Sequence, residues 1–446
     1  MLKQIVDLHV HSKYSRACSP QLDLPNIAAA CNKKGIDIIA TGDFTHPAWF
    51  KRLEENLEET SEGVYELRDP TLALPFAKGR EIVAPLLSKG GGRGRSHVRF
   101  VLGTEISCIY SHKDKTRRLH LLIFAPNLEA VRKFNAELEK RGVNLKADGR
   151  PIMGLSGKEI VQICLDIDKN MWVVPAHAWT PWFAVFGSKS GYDSLEECFE
   201  ELTPHITAIE TGLSSDPTMN RRLSRLDNIT LISNSDAHSL EKLGREANIL
   251  QFNDEESLTY AELKRIITTG DRKKFLNTIE FYPEEGKYYA DGHADCKISL
   301  TPEEAITNKL KCPKCQRPLT VGVLHRVVAL ADRDEKEIPK NKFIPHQYAV
   351  PLLEIIAGAF RVGVASKKVR AEYESLIKKL GAEFDILLNI PIDKIEGAVS
   401  NKNIAFGIQN MRAGKVAVKP GYDGIFGVVD VFSDKKYHRP VQTSLL

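Results

Sequence analysis

The sequence predicts an α/β fold of the parallel-sheet or barrel type, followed by a small metal-binding module and an α+β C-terminal domain. Three observations carry this expectation. Over the first 240 residues, runs rich in Val, Ile and Leu alternate with segments of helical periodicity, the pattern of strand–helix–strand units. Six of the seven strand-like runs carry a residue able to ligate a metal, and a barrel of this kind gathers its active site at the carboxyl ends of its strands. Further on, a His-x-x-Cys pair and a Cys-x-x-Cys pair stand fifteen residues apart.

The elements follow in order. The first strand is Ile5–His11; His9 and His11 leave the same face because side chains alternate along a strand, so both imidazoles can close on one ion. The second run, Asp37–Asp43, ends on Asp43. The third and fourth, Arg99–Tyr110 and Leu119–Ala125, bring Glu105 and His120. The fifth, Met171–His177, ends on His177, and the seventh, Ile229–Asp236, ends on Asp236 with His238 just beyond. The sixth, Ile206–Gly212, has no evident ligand, although Glu210 sits near its end. Asn26–Lys34, Leu128–Lys140 and Glu159–Ile167 read as intervening helices, and Tyr260–Thr269 as the last one, stopped at Gly270. Neutral imidazoles and carboxylates form a ligand set for Zn, Mn or Fe, with a carboxylate such as Glu105 able to bridge two ions.

Composition agrees with a globular chain: 446 residues, 42% hydrophobic, 27% charged. No apolar run approaches bilayer-crossing length and the N-terminus has no apolar leader, so a cytoplasmic protein without a membrane partner is expected. Five of the eight cysteines are scattered singly, as reduced core cysteines are. The net charge of +4 is uneven: residues 1–270 hold 34 Lys and Arg against 36 Asp and Glu, and the rest 28 against 22, leaving a basic C-terminal part able to meet a polyanion. Two insertions point the same way. Lys89–Arg99 interleaves Arg93 and Arg95 with glycines, suited to close approach to phosphates, and Trp179–Tyr192 carries five aromatics, among them Trp182 and Phe183.

Beyond the barrel, expected over residues 1–279, a module at 280–330 brings His293, Cys296, Cys312 and Cys315 into a tetrahedral structural zinc site. A site completed by Asp295 or water instead of His293 remains open. A third region, 331–446, has expected helices at Pro345–Phe360 and Val369–Leu380. Its end carries Arg412 and Lys419 before a glycine-rich turn with Tyr422 and Asp423, a candidate phosphate-contacting or base-reading loop.

Asp7-Leu8-His9-Val10-His11-Ser12, Thr41-Gly42-Asp43, Gly103-Thr104-Glu105, Leu119-His120, Pro175-Ala176-His177 and Ser235-Asp236-Ala237-His238 resemble, in order, the motifs of the polymerase and histidinol phosphatase (PHP) superfamily. The resemblance implies a distorted seven-stranded barrel using up to three metals in phosphoester hydrolysis. By it, His9, His11, Glu105 and Asp236 form one site and Glu105, His120 and His177 its bridged neighbour, while His46 and His238 are candidates for a third ion. Asp43 or Asp236 would take the proton of the attacking water. This sequence departs from the superfamily pattern in lacking a His soon after the first motif, and in spreading the second motif as Asp43-Phe44-Thr45-His46.

Adding Gly42–Pro47, Pro175–Phe183, the Asp291–Cys315 module with Leu319–Val323, and Pro420–Gly424, the chain resembles endonuclease Q over nearly its whole length. That resemblance implies cleavage of DNA, double- or single-stranded, on the 5′ side of deaminated bases (uracil, hypoxanthine, xanthine) or abasic sites, leaving 3′-hydroxyl and 5′-phosphate ends. It implies Zn2+ in the module and in the barrel, with Mg2+ or Mn2+ as alternatives in the barrel. No sliding-clamp motif is evident in the C-terminal residues. The alternatives are a PHP-type phosphatase of a small phosphomonoester and a non-catalytic DNA-binding module.

Overall fold

The computed structural model describes residues 1–69, 98–339 and 341–433, so the arginine-bearing insertion with Arg93 and Arg95 lies outside the described residues. The strand that opens the chain, β1 (Leu2–Asp7), is buried from Gln4 onward, around its Ile5-Val6 core. It lies in the middle of the main sheet, parallel to β2 (Ile38–Ala40) on one side and antiparallel to Ala247–Phe252 on the other. An insertion after β2 adds a helix, Pro47–Asn56, and the hairpin of β3 (Leu57–Ser61) and β4 (Val64–Leu67). Next, β5 (Arg99–His112) runs parallel to β2 and turns directly into β6 (Lys115–Ala125).

That turn defines how the expected barrel is distorted. Lys113 and Asp114 both have positive φ, 50° and 58°, the backbone of a tight two-residue hairpin. Two residues are too few for a crossover helix, so β6 must run antiparallel to β5, in register from Leu102↔Ala125 to His112↔Lys115. After β7 (Ile152–Met153), β8 (Trp172–Pro175) joins the far side of β6, again antiparallel. The pair β9 (Ala208–Glu210) and β10 (Thr230–Ile232) is parallel and stands as its own ladder. Its end returns to the first strand through a bridge between Val10 and Ala237 and the His11 N–H donated to the Ala237 carbonyl at 3.3 Å. The class is mixed α/β, and the strand ends converge although one continuous ladder does not close around them.

Helices cover the sheet with their apolar faces inward. Leu24–Lys34 is capped by Asp23 and buries Leu24, Ile27, Ala28 and Cys31. Gly157–Ile167 starts in a capping box between Ser156 and Glu159 and buries Ile160, Val161, Ile163 and Cys164. Downstream of β11 (Ala247–Phe252) and β12 (Phe275–Glu280), the module is built on the antiparallel pair β13 (Asp291–His293) and β14 (Ile298–Leu300), with a core of its own around Ala305, Cys312 and Leu319. The helix expected at Pro345–Phe360 is shorter, Leu352–Phe360, because His346–Tyr348 is instead a strand, β15, lying parallel to β12 and extending the main sheet. Proline at 351 stands at the cap of this helix, where its missing N–H costs nothing. Helices Lys367–Leu380, Ile392–Ala398 and Asn403–Arg412 follow, and the last elements among the described residues are the hairpin strands β16 (Ala417–Lys419) and β17 (Val428–Asp430). Among the described residues no helix is long and apolar enough to cross a membrane.

Candidate metal centre

Glu105, midway along β5, is the hinge of the site. Its Oε2 lies 3.6 Å from His9 Nε2 and 3.3 Å from His11 Nε2, while its Oε1 lies 2.7 Å from His120 Nδ1 and 3.1 Å from His177 Nε2. One carboxylate thus presents an oxygen to each of two groups. His9, His11, Glu105 and Asp236 offer ligand atoms within 4.8 Å of one another, and so do Glu105, His120 and His177. His9 Nε2 is buried without a hydrogen-bond partner, an orphaned lone pair or proton that an ion between these atoms would satisfy. The donor set and this orphan fit a pair of divalent ions sharing Glu105.

On three of the four imidazoles, those of His9, His11 and His177, the other nitrogen is spoken for, which is how a metal-ligating His is held in orientation. His9 Nδ1 pairs with Glu210 at 3.0 Å, His11 Nδ1 with Asp43 at 3.1 Å, and His177 Nδ1 with the Thr180 hydroxyl at 3.1 Å. Glu210 also accepts the His177 backbone N–H at 2.8 Å and the Asn234 amide at 2.9 Å, so one side chain anchors two ligands. Asp43 is fully buried, and its second oxygen accepts from the Ser12 N–H, the Ser12 hydroxyl and the Ser15 hydroxyl at 2.7, 2.7 and 2.9 Å. Asp43, His177 and Asp236 turn into the site with φ of 47°, 30° and 46°. A left-handed backbone costs about 1–2 kcal/mol per non-glycine residue, and such strain gathers where a chain must aim a ligand. Gly212 makes room for the bend at His177: a Cβ there would stand 2.6 Å from the His177 Cβ.

The charges demand cations. Burial alone would disfavour protonation of His9, yet the carboxylates of Glu210, Asp236 and Glu105 outweigh it and hold its pKa well above the ordinary range. His11 is raised likewise against its burial, by Asp236, Asp43 and Glu105. Glu105 and Asp236 are depressed despite burial, Glu105 by His120, Arg150 and His9, and Asp236 by His9, His11 and His238. His120 goes the other way, down to about 4, because burial there exceeds the pull of Glu105. Arg150 donates to Glu105 Oε2 at 2.9 Å.

The remaining sequence candidates fall as follows. His238 packs its ring 4.6 Å from that of His11, with Nδ1 turned to the Asp236 carbonyl at 2.9 Å. His46 begins the Pro47–Asn56 helix and stacks on Tyr14 at 4.4 Å, its Nδ1 buried and unpartnered. Neither belongs to the two ligand groups. His293, Cys296, Cys312 and Cys315 come together as a third group within 4.8 Å, while Asp295 points away to Arg317 at 3.9 Å. Phe183 packs over His120 with ring centroids 4.6 Å apart, and its carbonyl accepts the His120 N–H at 3.0 Å. Arg412 spends its guanidinium on the Leu387 and Ile386 carbonyls, Tyr422 is buried, and Lys419 is exposed.

The fold as a whole is shared with solved structures. The lesion-specific endonuclease PfuEndoQ from Pyrococcus furiosus superposes with a TM-score of 0.80 at 28% identity, over 98% of each chain. Endonuclease Q in complex with a 27-mer duplex bearing an abasic lesion at the active site superposes with a TM-score of 0.79 at 28% identity, over 98% of this chain and 99% of that one. The chain is similar to endonuclease Q over nearly its whole length. YqxK of Bacillus subtilis is 29% identical over 441 residues, 96% of this chain and the whole of YqxK. MJ0043 of Methanocaldococcus jannaschii is 31% identical over 258 residues, 57% of this chain but 31% of MJ0043, and the family described as the MJ0043 C-terminal domain matches residues 351–415.

Several participants of the centre have no sequence signal of their own. Arg150 lies outside every motif, and Thr180, although within Pro175–Phe183, is not marked there as the partner of His177. Gly149 is required by space alone, since a Cβ there would stand 2.3 Å from Asp43 Oδ2 and 2.4 Å from Ser15 Oγ. Glu210 is visible at a strand end, but its role in anchoring His9 and His177 appears only in three dimensions.

Proposed function

We propose that this metal-dependent hydrolase is a DNA repair endonuclease that hydrolyses the phosphodiester 5′ to a lesion and leaves 3′-hydroxyl and 5′-phosphate ends, with uracil, hypoxanthine, xanthine and abasic sites as the lesions. The observation that carries this reading is the likeness, over 98% of the chain, to endonuclease Q holding a duplex with an abasic lesion. The carboxylate-bridged ligand set supports it.

His9, His11, Glu105 and Asp236 would hold one divalent ion, and Glu105, His120 and His177 the other, with Zn2+, Mn2+ or Mg2+ as the candidates. When bound, such ions neutralise the phosphoryl charge, lower the pKa of a water and align it with the leaving oxygen. The protein's own groups do the rest. Arg150, with 24% of its side chain exposed, stands beside Glu105 and can pair with an anionic phosphate oxygen. Asp236 exposes 27% of its side chain whereas Asp43 exposes none, so we assign proton acceptance to Asp236 and the orientation of His11 to Asp43. A nucleotide weakened in its pairing costs less to extrude, which gives lesions an advantage of up to a few kcal/mol over intact DNA. His293, Cys296, Cys312 and Cys315 would hold a structural Zn2+, and a cytoplasmic location goes with a DNA substrate.

The test is incubation of end-labelled duplexes containing uracil, hypoxanthine, an abasic site or no lesion, each with Mg2+, Mn2+ or Zn2+, and mapping of the cut. Nicking 5′ to the lesion, absent from the undamaged duplex and from His9→Ala, is the expected result. Release of phosphate from small phosphomonoesters without nicking would replace this reading with a phosphatase.

A further inference from the structure

Phe426 is 67% exposed, more than any other large apolar side chain among the described residues except Met1, and its neighbour Ile425 is 40% exposed. An apolar pair held in water normally marks a contact surface. Here it sits at the tip of the loop joining β16 and β17, and that loop is pinned by hydrogen bonds along its length. Gly421, Gly424 and Gly427 donate their N–H groups to the carbonyls of Glu284, Lys287 and Glu285 at 2.7, 2.9 and 3.0 Å, and the Ala290 N–H donates to the Gly421 carbonyl at 2.9 Å. Asp423 accepts from the Thr320 hydroxyl and the Ala294 N–H, both at 2.6 Å. Tyr422 fills the space over Gly292, where a Cβ would meet its ring at 2.4 Å. Tyr422 and Asp423 therefore anchor the loop to the metal-binding module, and what they hold outward is Ile425–Phe426.

The tip is also linked to the metal centre by a series of rings and cations, with Phe183 and Trp182 joined by the chain and Tyr288 and Phe426 by Lys287. Phe183 covers His120 at 4.6 Å, Trp182 next to it meets Tyr288 edge-on at 5.5 Å, and Lys287 Nζ stands 5.5 Å from the Tyr288 ring and 5.8 Å from the Phe426 ring. Arg118 lies over Phe183 at 6.0 Å. Rings that alternate with cations suit a strand whose bases stack and whose phosphates pair with the cations.

We infer that Ile425–Phe426 is a wedge that enters the duplex beside the lesion and stacks in the gap left by the extruded nucleotide, with Lys287 taking an adjacent phosphate. The partner is duplex DNA, and the inference rests on the nuclease reading above. An apolar side chain inserted at a base step offsets part of the unstacking cost. A wedge locked before binding loses little conformational entropy when it acts. Its contribution is confined to duplex substrates, since a lesion in a single strand has no stack to open.

The experiment compares wild type, Phe426→Ala, Phe426→Trp and Lys287→Ala on one lesion placed in a duplex and in a single strand, with 2-aminopurine next to the lesion as a fluorescent report of unstacking. Phe426→Ala is expected to lose about tenfold or more in duplex cleavage and in the fluorescence rise, while single-strand cleavage stays within about twofold. Phe426→Trp should retain both. Lys287→Ala should weaken duplex binding and lower the slope of log K against log salt by about one. Duplex cleavage by Phe426→Ala at the wild-type rate, or equal losses on both substrates, would overturn the wedge. Wild-type protein that cuts neither substrate would overturn the nuclease reading, and the wedge with it.

Discussion

At Glu210, a single carboxylate holds His9 by its Nδ1 and His177 by its backbone, while Asn234 steadies it from behind. Replacing it by Gln keeps the shape but removes the charge and gives one face of the side chain a donor where it now accepts. Glu210→Gln is expected to bind divalent metal about 10–100-fold more weakly with unchanged circular dichroism, as outer ligand partners commonly do; titration calorimetry with Mn2+ or Zn2+ checks it. Unchanged affinity would mean that Glu210 does not orient the ligands. The candidate ligands themselves were legible in the sequence, because they lie in short local motifs such as His9-Val10-His11 and Ser235-Asp236-Ala237-His238. Arg150 and Gly149 were not, since each matters only through a side chain distant along the chain, Glu105 for Arg150 and Asp43 for Gly149.

At the level of elements, the edge where β11 and β12 meet buries two acids, Glu246 just before β11 and Glu280 at the end of β12, and each leaves one oxygen without a hydrogen-bond partner. Burial and the neighbouring Glu280 raise the Glu246 pKa well above the carboxylate range, and burial pushes Glu280 up to about 8. The folded protein therefore keeps protons that the unfolded chain gives up near 4.5, so stability is greatest at low pH within this window and falls as pH rises towards about 8. Glu246→Gln, which can donate to Glu280, should flatten that fall and stabilise the protein at pH 8 by roughly 1–3 kcal/mol. Thermal unfolding from pH 5 to 8 measures it, and parallel curves for the two proteins would refute the shared burial of charge. The metal-binding module makes a separate expectation. Its separate buried cluster of Ala305, Cys312 and Leu319 is small, so with an ion held by His293, Cys296, Cys312 and Cys315, chelation should unfold residues 280–330 while the helices of the N-terminal region persist, as seen by limited proteolysis. The positions of helices such as Leu128–Lys140 were read correctly from periodicity alone. The antiparallel turn of β5 into β6 was not, because Lys113 and Asp114 do not advertise a hairpin as Asn-Gly would.

Across the whole molecule, the N-terminal and C-terminal regions share one core. Lys34, at the end of the Leu24–Lys34 helix, reaches Glu383 at 3.1 Å with both side chains buried, and Glu383 also accepts from the Tyr373 hydroxyl at 2.8 Å and the Leu352 N–H at 3.0 Å. Removing one partner strands the other charge out of water, so Lys34→Ala should cost about 3–5 kcal/mol in urea unfolding. Catalysis at a permissive temperature should be unaffected, because neither residue touches the centre; a loss below about 1 kcal/mol would show that water reaches Glu383. By itself the sequence determined the ligand types, their order and their likeness to endonuclease Q, because these are properties of residues and their neighbours along the chain. Only the tertiary structure decided that Glu105 bridges two groups, that Asp43 is buried behind His11 while Asp236 is open, and that Tyr422 is an anchor and Phe426 the exposed tip. Distance, burial and solvent access arise when strands far apart in the chain meet, and spacing along the chain does not encode them.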